Sequence, residues 1–349
     1  MATLIAVYRN LPKGFLRLTN GSNTRLREYK PCRGGSFNIL ANERKAIPGS
    51  QAIAFAVPPG SSRSFSTERE SPPKSLSFSK INFDDLEEKL NIFPGGTLII
   101  RSDHADRVPG SVAQGGDAYM SSEGMYRHLN LLENLVPRTV GLNEAGTRLW
   151  IDTMFFCVSA MLSDEKRMVL NLGQRVPPVS VPMPGQARSL EIAGRIDYTA
   201  LTMNFHEHHS FITNSLFQFI KRQDPSGLFV TEAKQEEVPL AQQVARAVAE
   251  MYAPAKYLKK NVIRGALTNG RDWIFLILYL NEDGGGGTYL QSRPIELQVS
   301  SSYPYSVLPP EPDIIAGILA YWMERSFVDL DENDWFYSSN ELVAKSVKL

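Results

Sequence analysis

Cysteine is almost absent. Cys32 and Cys157 are the only two in 349 residues; they lie far apart and form no CxxC pair. That argues against a disulfide scaffold and a cysteine-based zinc site, and it fits a reducing compartment. Long apolar runs are also lacking. No segment reaches the ~18 residues that a membrane helix needs, and the run IFLILYL (274–280) has strand length. Net charge is missing too, with 37 basic against 37 acidic residues. Overall neutrality neither supports nor excludes a polyanionic partner, because local patches decide that. No P-loop, GxGxxG, HExxH or recognisable Ser/His/Asp arrangement occurs. The opening MATLIAVYRNLPKG carries no basic leader and too short an apolar stretch for a signal peptide. The expectation is a soluble intracellular protein, in nucleus or cytoplasm, with no membrane partner.

What is present is ordinary globular material, 43% apolar and 21% charged. Residues 1–57 hold short strand-like segments broken by Gly, Pro and Asn. Residues 58–80 are rich in Ser, Pro and charge, a linker composition. A short helix is expected at DDLEEKL, capped by Asp84, followed by a strand at GTLIIRS. These features suggest a small mixed N-terminal domain over 1–120 and a main domain over 123–349.

In the main domain, residues 141–162 read as a helix capped by Asn143. MVLNL (168–172) reads as a strand, and VPPVSVPMPG as a proline-rich connection. SLEIAGRIDYTALTMNF (189–205) and GLFVTEAK (227–234) are strand signals. A helix starts at Pro239 with an apolar stripe of Leu240, Val244, Val248, Met251, Ala255 and Leu258; Pro254 should end or kink it. Residues 262–280 suggest a hairpin turning at Asn269-Gly270. GGGG (284–287) suggests a flexible loop, and residues 312–326 an apolar helix. This order predicts a mixed sheet of α/β class with helices packed on it.

Three charges interrupt these apolar strands. Alternation puts Leu228, Val230, Glu232 and Lys234 on one side of GLFVTEAK, with Phe229, Thr231 and Ala233 on the other. Asp197 ends the apolar run before it. If the two strands are neighbours, Asp197 and Glu232 converge, and two carboxylates with carbonyl or water oxygens suit a hard cation such as Mg²⁺. The plainer reading is a strand-end Asp beside a cross-strand Glu/Lys ion pair.

Asp197 in GRID, then Glu232-Ala233-Lys234 on a strand followed by a helix, resembles the PD-(D/E)XK nuclease superfamily over roughly 140–290. The GRID form is similar to its RecB-like branch and to variants in fungal proteins and in the C-terminal domains of crinkler-type effectors. The resemblance implies a restriction-endonuclease-like core with helices on both faces. It implies metal-dependent hydrolysis of nucleic acid, DNA ahead of RNA, with Mg²⁺ or Mn²⁺ held by Asp197, Glu232 and Glu144 and with Lys234 as the catalytic lysine. Gln243, or Gln242, matches the RecB-like glutamine. The 35 positions between Asp197 and Glu232 are long for the family, and Ile196 stands where a proline often precedes the acid. Many relatives bind without cutting, so the resemblance equally allows a catalytically inactive nuclease-fold module that binds nucleic acid or a protein partner, such as a host-directed effector.

Other features carry two readings. Glu144 also suits a helix N-terminus and lies four residues before Arg148, at ion-pair spacing. Lys256, Lys259, Lys260, Arg264 and Arg271 fall in a stretch without acids; they suit nucleic-acid phosphates or a solvated helix end. HEHH (206–209) lacks a histidine at zinc spacing and reads as a solvated loop or a surface that touches substrate phosphates. Tyr198 is expected to pack in the core.

Overall fold

The most apolar segments lie side by side at the centre of one sheet. Every residue of β5 (Gly227–Ala233) is buried, as are nearly all of β6 (Val262–Thr268) and β7 (Asp272–Leu280). Strands covered on both faces read as continuous hydrophobic runs rather than alternating ones. The computed structural model describes residues 74–103, 107, 121–136, 144–163, 165–183, 189–214, 216–223, 225–235 and 238–340, all inside the compact unit Glu68–Leu349. The strands expected over 1–57, most of the linker and Asn143 lie outside the described residues.

In chain order the remaining strands are β1 (Lys74–Ser77), β2 (Ile92–Ile100), β3 (Lys166–Pro182), β4 (Ser189–Asn204), β8 (Gly287–Ser292), β9 (Ile295–Glu296) and β10 (Phe336–Ser338). The helices are α1 (Phe83–Glu88), α2 (Ser122–Leu135), α3 (Glu144–Met161), α4 (Phe205–Thr213), α5 (Phe217–Gln223), α6 (Val244–Leu258) and α7 (Glu311–Glu324). The sheet runs β1-β4-β5-β6-β7-β8-β2-β10, with β3 on β4 and β9 on β7. It mixes parallel pairs (β1 with β4, β5 with β6, β2 with β8) and antiparallel ones. One face is covered by α6, the other by α3 and α7. The α/β class, the mixed sheet and the helices on both faces are as expected.

Four local expectations change. Asn82, not Asp84, caps α1: its side chain accepts from the Asp85 N–H while Asp85 bonds back, a reciprocal box. The proline-rich connection is the second half of β3, where Pro177 and Pro178 fall in a register break between Val176 and Val179; a bulge is where a strand tolerates residues without an N–H. Pro254 lies inside α6, which continues to Leu258 because Ala253 and Ala255 are packed in the core. HEHH opens α4 instead of forming a loop. The sheet also crosses the boundary expected near residue 120, since β1 and β2 are strands of it. Among the described residues no helix is long and apolar enough to cross a membrane.

Candidate active site

Strand β4 has one continuous partner and two short ones. β3 runs along one edge; on the other, β1 pairs with residues 190–193 and β5 with residues 198–202. Between them, on that second edge, residues 194–197, Gly-Arg-Ile-Asp, pair with no strand among the described residues. The pairing register would set Asp197 opposite Glu232, but it stops at Tyr198↔Thr231. There the side chain takes over from the ladder: Asp197 Oδ2 accepts the Ala233 N–H at 3.1 Å.

The alternation of β4 changes phase at this residue. Leu201 and Met203 face the α6 layer while Tyr198 and Ala200 face the α3–α7 layer, yet Ile192 and Ile196 also face α6. β3 switches in step between Leu170 and Val176, across Gly173 at φ +64°. Such one-residue slips bend strands and re-aim side chains. Here the slip turns the Asp197 carboxyl toward the end of β5.

Three elements bring cations to the acids. From α3, Arg148 Nη2 reaches Asp197 Oδ1 at 3.1 Å. Lys234, whose N–H bonds Thr268 O at 2.8 Å, lays its ammonium on Glu232 Oε1. From α6, Arg246 bonds Glu232 Oε1 at 2.8 Å and Glu250 Oε1 at 2.9 Å. Glu232 and Glu250 are fully buried.

Burial, then the charge of Glu232, raises Asp197 to a pKa of about 7, against the pull of the Ala233 N–H and Arg148. Burial and the Glu232 charge likewise push Glu250 well above the carboxylate range. Burial opposes ionisation of Glu232 also, but the Glu250 hydrogen bond and the two cations outweigh it and hold its pKa low. The site is thus an ionised Glu232 beside an Asp197 poised to release its proton near neutrality.

The alternation expected for β5 is observed. Leu228 and Val230 face α6 with Glu232, and Phe229 and Ala233 face away. Glu144 opens α3, and its side chain lies outside the described residues. Gln243 ends the 3-10 turn Leu240–Gln243 and makes no cap bond, while Gln242 is exposed. Tyr198 is a core residue, its hydroxyl on Asp152 Oδ1 at 2.9 Å and its ring stacked on Phe155.

The basic run does not form one surface. Lys256, Lys259 and Lys260 precede β6 and Arg271 follows it, so ~20 Å of strand separates them. Arg264 is corrected outright: it is fully buried, paired with Asp334 at 2.7 Å, and lies 5.0 Å over the Trp322 ring, out of reach of any phosphate. Lys256 donates to Gly284 O at 2.6 Å and anchors the glycine loop. Lys260 sits over Phe327, and Lys259 is exposed at the left-handed end of α6. Arg271 lies at the site end of β6, paired with Glu133 at 2.8 Å.

Arg148, Arg246 and Glu250 were not anticipated in the site. The signal for the last two was in VARAVAEMYA: two charges four apart, where almost every neighbour is apolar, mark a buried pair. Arg148, at ion-pair spacing from Glu144 in the sequence, also reaches Asp197.

Two carboxyls of hard oxygen type, one with its proton loosely held, are a fitting donor set for Mg²⁺ or Mn²⁺. Among the described residues no three or more His, Cys, Asp or Glu side chains cluster as a metal site. Neither a scan against protein-family models nor a search among curated proteins returns a match.

Proposed function

We propose that the chain is a metal-dependent nuclease of PD-(D/E)XK type, hydrolysing phosphodiester bonds in nucleic acid. The observation that carries this reading is the meeting of Asp197, Glu232 and Lys234 where β4 and β5 part. The resemblance asks for those residue types together, and they meet despite being 35 positions apart in sequence. The restriction-endonuclease-like core is part of the same proposal.

Asp197 and Glu232 would hold Mg²⁺ or Mn²⁺, with Glu144 as the third acid. When bound, such an ion polarises a phosphate oxygen and acidifies bound water. The chain's own residues supply the rest. The Ala233 N–H fixes the Asp197 carboxyl at the strand gap. Arg246 and Lys234 hold Glu232 and keep it ionised. Lys234 orients the attacking water and offsets charge growing on the phosphate. Arg148 offers a second cation on the far side of Asp197.

The saturation of both acids by Arg148, Lys234 and Arg246 favours a second reading, a module on the same fold that binds without cutting. Incubation of single- and double-stranded DNA and RNA with Mg²⁺, Mn²⁺ or EDTA separates the two. The nuclease reading expects cleavage that EDTA abolishes and that Glu232→Ala and Lys234→Ala each reduce by roughly 10²-fold or more. Intact substrates under every condition, with oligonucleotide binding retained, give the site to the module.

A further inference from the structure

Beside the acids, the open edge of β4 forms one wall of a solvent-connected cavity of about 390 Å³. Its lining is Ala193, Gly194 and Arg195 of β4, Arg175 of β3, Arg246 of α6, and Ser77, Phe78 and Ser79 after β1. Among the described residues, three arginines and two serines line it and no acid does. Arg175 and Arg195 stand directly opposite each other across the antiparallel β3–β4 pair. Like charges in that position repel, and neither arginine has an acidic partner among the described residues. Arg246 links this cavity to the acids: its Nε and Nη2 hold Glu250 and Glu232, and Nη1 is without a partner among the described residues.

The fold keeps the cavity open. Phe78 packs so closely on Gly194 that a Cβ there would lie 2.3 Å from the ring, which seats the Ser77–Ser79 segment across the gap from Arg195. The Ser77 and Ser79 hydroxyls are 3.1 Å apart. Arginine forks match phosphate oxygens in pairs, and the volume lies in the range of sites for nucleotide-sized groups.

We propose that Arg175, Arg195 and Arg246, with Ser77 and Ser79, form a binding site for a backbone phosphate of a nucleic-acid strand, held next to the Asp197–Glu232 acids. The choice of a nucleic-acid strand as ligand rests on the nuclease reading; the arginine-lined cavity stands without it. A strand with one phosphate here continues along the open edge of β4 and reaches Asp197 two residues on from Arg195.

The test is anisotropy of a labelled 20-nucleotide strand and its duplex with the full chain in EDTA, over a series of NaCl concentrations. Wild type, Arg175→Ala/Arg195→Ala and the exposed control Arg127→Ala are compared. Each is checked for an unchanged melting curve. The site predicts that the double variant binds roughly tenfold or more weakly, with a log K against log salt slope smaller by about two, and that the control matches wild type. Wild-type binding with the same affinity and slope in the double variant overturns the proposal. So does wild type that ignores oligonucleotides, whether or not inorganic phosphate or AMP binds in an Arg175- and Arg195-dependent way. Cleavage is scored separately: lost binding in the double variant with no cleavage by wild type keeps this site and removes the nuclease reading, and cleavage with arginine-independent binding does the reverse.

Discussion

Asp197 accepts a hydrogen bond from the main-chain N–H of Ala233 at 3.1 Å, and Ala233 is the residue between Glu232 and Lys234. One bond therefore closes the gap where β4 and β5 separate and sets the register of all three charged residues. A carboxylate and an amide both accept there, so Asn at 197 keeps the strand contact while removing the charge.

The pH dependence of that residue follows from its burial and from Glu232. Folded, Asp197 holds its proton up to a pH of about 7; unfolded, it releases it in the usual carboxylate range. Between those values the folded state binds the extra proton, so stability falls as pH rises toward 7. In EDTA, Asp197→Asn should be more stable than wild type at pH 8 by about 1–3 kcal/mol and nearly equal to it at pH 4. Calorimetric melting across this range checks it; a difference that does not change with pH contradicts it.

Glu250 is fully buried, bonded to Arg246, and held well above the carboxylate range by burial and the Glu232 charge. Glu250→Gln keeps the shape and an acceptor oxygen for Arg246 and should change stability by less than ~1 kcal/mol. Glu250→Ala leaves a void and removes a partner from Arg246, a loss of about 2–4 kcal/mol. Urea unfolding of the two variants distinguishes them, and equal losses would contradict a raised Glu250 pKa.

Arg264 serves the core. Arg264→Ala strands Asp334 without its cation and should cost about 3–5 kcal/mol. Below its melting temperature the variant should bind oligonucleotides as wild type does. Weakened binding by folded protein would return this arginine to the nucleic-acid surface.

Gly194 is required by contact rather than by backbone angle. In Gly194→Ala the new methyl meets the Phe78 ring, and overpacking of this kind costs about 1–3 kcal/mol. Phe78→Leu in the same chain should recover part of the loss, as measured by melting temperature.

Local chemistry made much of the architecture legible. The buried strands announced themselves as apolar runs, Asn269-Gly270 marked the hairpin, and alternation in GLFVTEAK put Glu232 and Lys234 on one face. Gly270, at φ +85°, also sits where a Cβ would meet Thr147 O at 2.9 Å, so the turn both bends and packs against α3. Less legible was anything set by distant pairing. Pro177 and Pro178 read as a connector because the bulge that admits them exists only against β4. Arg264 read as part of a basic surface because its partner Asp334 lies 70 positions on. Arg148 looked like a helical neighbour of Glu144, and only the tertiary fold brings it to Asp197. The gap at GRID follows from β1 and β5 sharing one edge of β4, which no local pattern records.

The central claim is that Asp197 and Glu232 share one divalent cation, and Mn²⁺ titration near pH 8 tests it most directly. Calorimetry or the Mn²⁺ spin-resonance signal should report one ion per chain for wild type. Binding should weaken by roughly tenfold or more in both Asp197→Asn and Glu232→Gln, since each removes one anionic ligand. Wild type that binds no Mn²⁺, or binds it equally well in both variants, contradicts the account.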